Sequence, residues 1–256
     1  MIDSHCHLND DKIFPDRATV ISEAKAAGVT LFLCVGWDVE SSKKALQIAH
    51  EFPEVYAAVG IHPENLEGVN DDSLKQIENL AHDPKVLAIG EIGLDYHWFK
   101  EAKDREMQKA WFLKEIELAN RLSLPISVHA RDAIQDTYDI LKAHPVLCRG
   151  NMHCYSGPTE MIPLFTNLGF YFGFDGPITY KNSQVPKANV RACPSDRILT
   201  ETDSPYLTPV PFRGETNGPK HIPEILQTIA VLRGVDQKSM ENQVLLNFNK
   251  LFHVEQ

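Results

Sequence analysis

Short apolar runs recur along the chain, and each is followed by a stretch in which apolar residues are spaced as on one face of a helix. Runs rich in Val, Ile, Leu and Phe are typical of strands that are covered on both faces in a parallel sheet. We identify eight such strands, counting the one that opens the chain. The other seven lie at residues 29–37, 55–62, 86–95, 125–131, 150–156, 170–178 and 197–204.

The intervening segments carry the signals of helices. Asp38 has the position of an N-cap, and Ala45 and Ile48 belong to an apolar stripe in the segment that follows it. The longest helix is predicted from about 103 to 122, and Pro125 follows it as a stop signal. The pattern along the chain is therefore one of strands alternating with helices.

This alternation, without a linker or a break in composition, predicts an α/β fold, namely a TIM-like (β/α)8 barrel that forms a single domain over residues 1–256. A doubly wound open sheet is the main alternative. Residues 205–219 are rich in Pro and Gly and long for a connection in such a fold. We expect a functional loop there rather than a domain linker.

The composition excludes several classes of protein. With 43% hydrophobic and 23% charged residues, the chain is typical of a globular protein rather than a disordered one. No apolar run is long enough to span a bilayer and no signal peptide precedes the first strand, so we expect a cytoplasmic protein without a membrane partner. The five cysteines are odd in number and scattered, which indicates free thiols.

The net charge of −10 argues against a broad basic surface for nucleic acid. A substrate that contains phosphate would therefore need a local source of positive charge. Bound divalent cations can supply it.

Polar residues interrupt the apolar runs near the C-terminal ends of the strands, where the active site of a barrel is built. An acid or imidazole buried there without a partner costs several kcal/mol, whereas a shared metal centre satisfies most of these groups at once. The residues at these positions are His5, His7, His62, Glu91, Asp95, His129, Arg131, His153 and Asp203.

This set of histidines and carboxylates suits two divalent ions, with positions left for water. We expect Glu91 to bridge the two ions, because each of its two oxygens can bind one of them. The other expected ligands are His5, His7 and Asp203 for one ion, and His129 and His153 for the second.

Each of these residues also has a second interpretation. Glu91 can be a buried acid that is bonded to a neighbouring strand, although the glycines of "IGEIG" favour close approach and a ligand. His129 can cap the next helix, and His153 can be a core histidine. Asp203 can be a turn residue before a proline. Glu201, two positions earlier, points the same way as Asp203 and competes with it for the metal.

Six stretches of the sequence together resemble one family. They are "DSHCHL" (3–8), "GIHP" (60–63), "IGEIGLDYH" (89–97), "HARDA" (129–133), "MHCYSG" (152–157) and "ETDSPYLTPVPFRG" (201–214). In this order they are similar to the TatD-type metal-dependent deoxyribonucleases, within the amidohydrolase-like barrel group. The resemblance implies a cytoplasmic barrel hydrolase whose two metal ions are bound by the six ligands already named. Gly218 departs from it, because members of the family often have an acidic residue there.

The resulting hypothesis is a metal-dependent hydrolase, an exonuclease-like deoxyribonuclease that cleaves phosphodiester bonds with a metal-activated water. Its substrates would be DNA strand ends or short single strands, its cofactors two divalent ions (Mg²⁺, Mn²⁺ or Zn²⁺), and no obligate protein partner is evident. Asp203 and Glu91 are the expected catalytic residues. The expected substrate-binding residues are His62 and Arg131 for phosphate oxygens, and Tyr155 and Tyr206 for an unpaired base.

Two other functions stay open from the sequence. A small-molecule amidohydrolase or esterase would use the same binuclear site, and a non-catalytic metal-binding protein would keep the ligands without turnover. His62 and Arg131 also fit structural roles, as a hydrogen-bond partner of a ligand or as part of a salt bridge.

Overall fold

The computed structural model describes residues 1–254, and its strands form one sheet of eight parallel strands in sequence order. The strands are β1 (Ile2–Cys6), β2 (Leu31–Val35), β3 (Val55–Val59), β4 (Val86–Asp95), β5 (Ile126–Arg131), β6 (Gly150–Met152), β7 (Tyr171–Phe174) and β8 (Ile198–Thr200). Sequence order across the sheet excludes the doubly wound alternative, in which the strand order reverses within the sheet. The predicted α/β barrel is confirmed.

Helices follow the strands in turn, with a ninth helix at the end of the chain. They are α1 (Arg17–Ala26), α2 (Val39–Glu51), α3 (Asp71–Ala81), α4 (Ala102–Leu122), α5 (Ile134–Ala143), α6 (Ile162–Asn167), α7 (Gln184–Ala192), α8 (Ile222–Arg233) and α9 (Gln237–Phe252). Among residues 1–254, no helix has the length and apolar character that crossing a membrane requires.

The two outer strands of the sheet, β1 and β8, are joined by side-chain hydrogen bonds. The Thr200 hydroxyl donates to the carbonyl oxygen of Ile2 at 2.7 Å, and the Ser4 hydroxyl donates to the carbonyl oxygen of Thr200 at 3.0 Å. These bonds take the place of a backbone ladder between the two strands. They satisfy edge groups that an open sheet would leave unpaired.

Backbone hydrogen bonds continue this closure between the C-terminal part of β1, with its extension, and the residues that follow β8. The amide of Asp203 donates to the carbonyl oxygen of His5 at 3.0 Å, and the amide of His7 donates to that of Ser204 at 2.8 Å. The closure of the barrel thereby places the carboxylate of Asp203 beside the two histidines of β1 and its extension.

Apolar side chains fill both the shell between strands and helices and the interior of the barrel. Successive side chains of β2 point alternately to the shell and to the interior. Phe32 packs with the outer helices, whereas Leu33 belongs to the cluster inside the barrel. Phe248 and Phe252 of α9 lie in that inner cluster together with Ile2, the first residue of β1. Helix α9 therefore covers the N-terminal end of the barrel, and the C-terminal rim is the end that carries the polar residues.

The contact between β4 and β5 depends on two glycines of the "IGEIG" stretch. A Cβ atom at Gly90 would lie 2.7 Å from the Cβ of Ser127, and one at Gly93 would lie 2.1 Å from the carbonyl oxygen of His129. Gly93 also has a φ of +136°, a conformation that L-residues rarely adopt. The close approach that the sequence indicated therefore brings Glu91 against the strand that bears His129.

Several strands end earlier than the apolar pattern predicts. The predicted ranges 55–62, 150–156 and 197–204 correspond to strands that end at Val59, Met152 and Thr200. The apolar character continues past these ends because the following residues are buried in the rim of the barrel. His62, His153 and Asp203 consequently lie in the first loop residues after their strands rather than within them.

Helix α2 begins at a capping box that includes the N-cap predicted from the sequence. The Asp38 carboxylate accepts a hydrogen bond from the amide of Ser41 at 2.7 Å, and the Ser41 hydroxyl accepts one from the amide of Asp38 at 2.9 Å. The box satisfies amides that the first turn of a helix otherwise leaves unpaired.

Replacing Asp38 by Ala is expected to lower the free energy of unfolding by about 1 kcal/mol, because the carboxylate is the acceptor of the box. Asp38→Asn keeps an acceptor oxygen and serves as the matched control. Urea denaturation of the two variants provides the measurement. Equal stability of Asp38→Ala and the parent chain would contradict the role given to the cap.

Candidate metal centre

A cavity of about 510 Å³ opens at the C-terminal rim of the barrel. Its lining includes four carboxylates, but only one side chain with a permanent positive charge, Arg131. The carboxylates are those of Asp10, Glu64, Glu91 and Asp203. Unless its imidazoles are protonated or metal ions are bound, the cavity is therefore unfavourable for an anionic substrate.

The first group of possible ligands combines two histidines with the carboxylate of Asp203. The Nε2 atoms of His5 and His7 lie 3.3 Å apart. Asp203 Oδ1 lies 3.3 Å from His7 Nε2 and 3.8 Å from His5 Nε2. One ligand atom of each residue lies within 4.8 Å of the others, as in a site for a metal ion.

Two further groups share the carboxylate of Glu91. The first contains His5 and His153, whose Nε2 atoms lie 3.4 Å from Oε2 and 3.6 Å from Oε1 of Glu91. The second contains His129 and His62, with Nδ1 of His129 2.8 Å from Oε1 and Nε2 of His62 3.4 Å from the same oxygen. Glu91 is only 4% exposed, so its charge depends on these contacts.

The structure groups the predicted ligands differently from the sequence interpretation in one respect. His5, His7 and Asp203 lie together as expected, and Glu91 lies between the groups. His129 and His153 were expected to bind the same ion, but they belong to different groups, and their ring centroids are 6.4 Å apart.

In each of these histidines, the outer nitrogen is the ring nitrogen that faces away from Glu91 and Asp203. Hydrogen bonds at this nitrogen fix the tautomer and orientation of two of the rings. His7 Nδ1 lies 2.9 Å from the carbonyl oxygen of Val35, which can only accept, so Nδ1 carries the hydrogen. His153 Nδ1 lies 3.0 Å from Glu201 Oε1, which requires the same tautomer. In both neutral rings, Nε2 therefore directs a lone pair towards carboxylate oxygens. Such an arrangement fits a cation between them.

The outer nitrogens of the other two predicted histidine ligands are also held. His5 Nδ1 lies 3.3 Å from the hydroxyl of Ser127, and His129 Nε2 lies 3.0 Å from Asp95 Oδ2. A carboxylate or hydroxyl that orients the far side of the ring is typical of histidines that bind metal. The donor set thus fits divalent ions by its chemistry as well as by its distances.

His62 differs from these histidines in its tautomer. Its Nδ1 accepts a hydrogen bond from the amide of Glu64 at 3.2 Å, so in the neutral ring the hydrogen lies on Nε2. Nε2 faces Glu91 Oε1 as a donor. We therefore treat His62 as a hydrogen-bond donor at the centre rather than as a ligand, although it lies within a possible ligand group.

The charges of the centre stabilise one another. Burial opposes the charged form of His129, but its hydrogen bonds to Asp95 and Glu91 raise its pKa to about 9. Burial also opposes ionisation of Glu91, but the neighbouring His62 and His153 hold the pKa of this carboxyl well below its usual range. Protons on the imidazoles and divalent ions therefore compete for the same nitrogens.

Three of the four predicted substrate-binding residues line the cavity, and His62 is one of them. Arg131 and Tyr206 line it, and the hydroxyl of Tyr206 donates to Asp10 Oδ2 at 3.0 Å. Tyr155 does not line it. Tyr155 is 3% exposed, packs against Phe172 and donates its hydroxyl to a loop carbonyl, so its predicted base-stacking role is corrected to a role in the core.

Sequence reasoning missed the residues that orient the ligands. Asp95 was noted at a strand end without a role, and Glu201 was weighed as a competitor of Asp203. The structure places Glu201 behind His153, where Oε1 also accepts a hydrogen bond from the amide of Cys154. The spacing from Glu201 to Asp203 suggested a shared face, but β8 ends at Thr200. The two carboxylates contact opposite nitrogens of His153, Glu201 at Nδ1 and Asp203 at Nε2.

An eight-stranded α/β barrel with histidines and carboxylates gathered at its C-terminal rim defines a class, the metal-dependent hydrolases of this architecture. The chain belongs to the family of TatD-related DNases, whose family model matches residues 2–253. The resemblance found in the six sequence stretches is confirmed.

Named relatives agree with this assignment. The chain is 38% identical over 255 residues to the metal-dependent hydrolase YabD of Bacillus subtilis, with 99% of each chain covered. It is 34% identical over 259 residues to the metal-dependent hydrolase YcfH of Escherichia coli, with 100% of this chain and 96% of the relative covered. Both are described as uncharacterised, so their names give the class of enzyme and no substrate.

Solved structures show the same fold over the whole chain. The crystal structure of YJJV, a TatD homologue from Escherichia coli, matches with a TM-score of 0.94 at 30% identity and covers 100% of this chain and 98% of its own. A TatD family hydrolase from Entamoeba histolytica matches with a TM-score of 0.86 at 22% identity, covering 99% and 98%. The chain is a metal-dependent hydrolase of the TatD family.

Replacing Glu201 by Gln is expected to weaken metal binding by about 10- to 100-fold, because the His153 ring loses the carboxylate that fixes its tautomer. Competition with a chromogenic chelator gives the dissociation constants. Glu106→Gln removes a carboxylate that is 74% exposed and is the control. An unchanged dissociation constant for Glu201→Gln would contradict the orienting role.

Proposed function

We propose that this hydrolase is an exonuclease-like deoxyribonuclease that hydrolyses phosphodiester bonds with two divalent ions, Mg²⁺, Mn²⁺ or Zn²⁺. The excess of carboxylates over fixed positive charge in the 510 Å³ cavity carries the proposal. A phosphate anion gains from entering such a cavity only when cations offset the carboxylates. The proposed ligands are His5, His7, Glu91, His129, His153 and Asp203.

The orientation of Glu91 supports its proposed bridging role. Its Oε2 faces His5 and His7 at 3.4 and 3.7 Å, whereas its Oε1 faces His129 and His153 at 2.8 and 3.6 Å. The two oxygens thus point to different nitrogens, and His153 lies between the two sides because it also groups with His5. A carboxylate in this position can serve two ions at once.

Two bound divalent ions supply an activated water and polarise the phosphoryl group. The protein supplies the remaining functions. Asp203 directs Oδ1 towards His7 at 3.3 Å, and in this proposal its second oxygen orients the water and accepts its proton. His62 donates a hydrogen bond through Nε2, and Arg131 binds phosphate oxygens through its guanidinium.

Overall charge supports strand ends or short single strands as substrates. The chain has a net charge of −10, so the protein as a whole repels a long duplex. A short strand or an end can place one phosphate in the cavity with less repulsion. A cytoplasmic location belongs to this proposal and is supported by five cysteines that are all free.

Replacing Glu91 by Ala is expected to abolish both metal uptake and hydrolysis, because both groups of nitrogens lose their shared carboxylate. Metal content after dialysis and cleavage of an end-labelled oligonucleotide are the two measurements. Glu106→Gln again controls for the loss of a carboxylate from the surface. Chelator-sensitive activity at the parent level in Glu91→Ala would refute the bridging role.

A panel of substrates tests the activity itself. The metal-loaded protein is assayed in parallel with single- and double-stranded DNA and RNA, and with amide and ester substrates, in the presence of Mg²⁺, Mn²⁺ or Zn²⁺. We expect cleavage of DNA from strand ends. Faster turnover of amides or esters would replace the proposal by a small-molecule amidohydrolase, and metal binding without any turnover would indicate a non-catalytic protein.

A further inference from the structure

Trp98 is a large aromatic side chain that the barrel leaves in solvent. It lies in the turn after β4 and is 64% exposed, whereas Trp111 is 8% exposed. The exposed indole contributes little to the core. Exposed aromatic rings are the groups on which the unpaired bases of single strands stack.

The turn that carries Trp98 is bonded to the metal centre through one carboxylate. Asp95 Oδ1 accepts hydrogen bonds from the amides of His97 at 2.9 Å and Trp98 at 3.1 Å. Asp95 Oδ2 lies 3.0 Å from Nε2 of His129. The backbone of Trp98 is therefore fixed relative to a proposed metal ligand, which places the residue at the rim.

Arg131 connects the indole with the cavity of the metal centre. Its guanidinium carbon lies 5.6 Å from the centroid of the Trp98 ring, within the range of a cation–π contact. Arginine ion pairs among residues 1–254 involve Arg17, Arg121 and Arg197, so no carboxylate of the described chain lies within 4 Å of the Arg131 guanidinium. An unpaired guanidinium in an acidic protein is available to an anionic ligand.

The space around Arg131 is large enough for a nucleotide. Arg131 borders the 510 Å³ cavity and two adjoining ones of about 420 and 550 Å³. The 420 Å³ cavity has an apolar part formed by Ala130, Pro177 and Leu207, and the 550 Å³ cavity reaches His97 in the turn of Trp98. Arg131 therefore borders both the cavity of the metal centre and the space beside the turn.

We propose that Trp98 and Arg131 form a binding subsite for one nucleotide of a single-stranded nucleic acid, with the base stacked on the indole and a phosphate bound by the guanidinium. This inference rests on the proposed phosphodiesterase function and adds the recognition of the strand next to the cleaved bond. Stacking needs an unpaired base, so the subsite selects single strands and frayed ends over intact duplex.

The test uses two single-stranded substrates of equal length and charge, one with bases and the other built from abasic nucleotides. Metal-loaded parent enzyme, Trp98→Ala and Trp98→Phe are compared by kcat/KM on both strands. Trp98→Ala is expected to lower kcat/KM about tenfold on the strand with bases, mainly through KM, and to leave the abasic strand unchanged. Trp98→Phe is expected to keep most of the activity, because a ring for stacking remains.

Two further variants separate stacking from other effects. Arg131→Gln is expected to lower kcat/KM equally on both strands, because both carry phosphates. Leu246→Ala removes an apolar side chain that is 61% exposed on α9, away from the rim, and should change neither. A loss that is equal on both strands in Trp98→Ala, or no loss at all, would overturn the subsite and leave the exposed indole to another role such as contact with a protein.

The outcome is distinguishable from failure of the proposed function. If the parent enzyme cleaves phosphodiesters but Trp98→Ala does not distinguish the two strands, only the subsite is wrong. If the parent cleaves no phosphodiester, the proposed function is wrong, and fluorescence anisotropy of the two labelled strands decides the subsite. A tenfold weaker binding of Trp98→Ala that is restricted to the strand with bases would then support it, and equal binding would refute it.

Discussion

The buried carboxylate of Glu91 is the constraint on which the C-terminal rim of the barrel depends. Its side chain is 6% exposed and lies within 4 Å of five imidazoles. The imidazoles are those of His5, His7, His62, His129 and His153. A buried carboxylate without such partners would be strongly destabilising. The fold must therefore bring the imidazoles next to Glu91. The barrel achieves this because the ends of its parallel strands meet at one rim.

A second set of interactions holds these rings in place, and it comes from the strands themselves. The carbonyl oxygen of Val35 and the hydroxyl of Ser127, on β2 and β5, contact the outer nitrogens of His7 and His5. Strand β2 is the neighbour of β1 in the sheet, and β5 lies across the barrel from β1. The tautomers that suit a metal are thus consequences of the fold, since the carbonyl of Val35 can accept only from Nδ1.

The sequence singles out these side chains because their signal is simple. A buried polar residue near the end of an apolar strand, as at His5, Glu91 or His129, is costly unless partners stabilise it. In a barrel the strand ends meet at one rim, so this prediction requires no knowledge of side-chain packing. The alternation of strands and helices predicts the barrel for the same reason. Strand ends were less predictable, because burial in the rim continues the apolar pattern past Val59 and Thr200.

Roles in the loops could not be derived in the same way. Tyr155 and Tyr206 both follow strands and both look suitable for stacking, yet one is buried in the core and the other is 47% exposed at the rim. Glu201 and Asp203 differ in role because both follow the end of β8 at Thr200, where side chains no longer alternate as in a strand, and no periodic pattern records that change. The sequence pattern indicated no role for Trp98, because the exposure of its side chain depends on the path of a turn.

The turn after β4 shows how such loops can differ in side chains without disturbing the metal centre. Asp95 holds this turn through backbone amides of His97 and Trp98, and every residue other than proline has an amide to donate. The same carboxylate keeps His129 oriented through its other oxygen. Side chains at 97 and 98 are therefore free to set what the rim binds, whereas Asp95 itself is required by both the turn and the ligand. In the proposed function, the chemistry of the centre and the selection of the substrate are thus physically separate, although one carboxylate joins them.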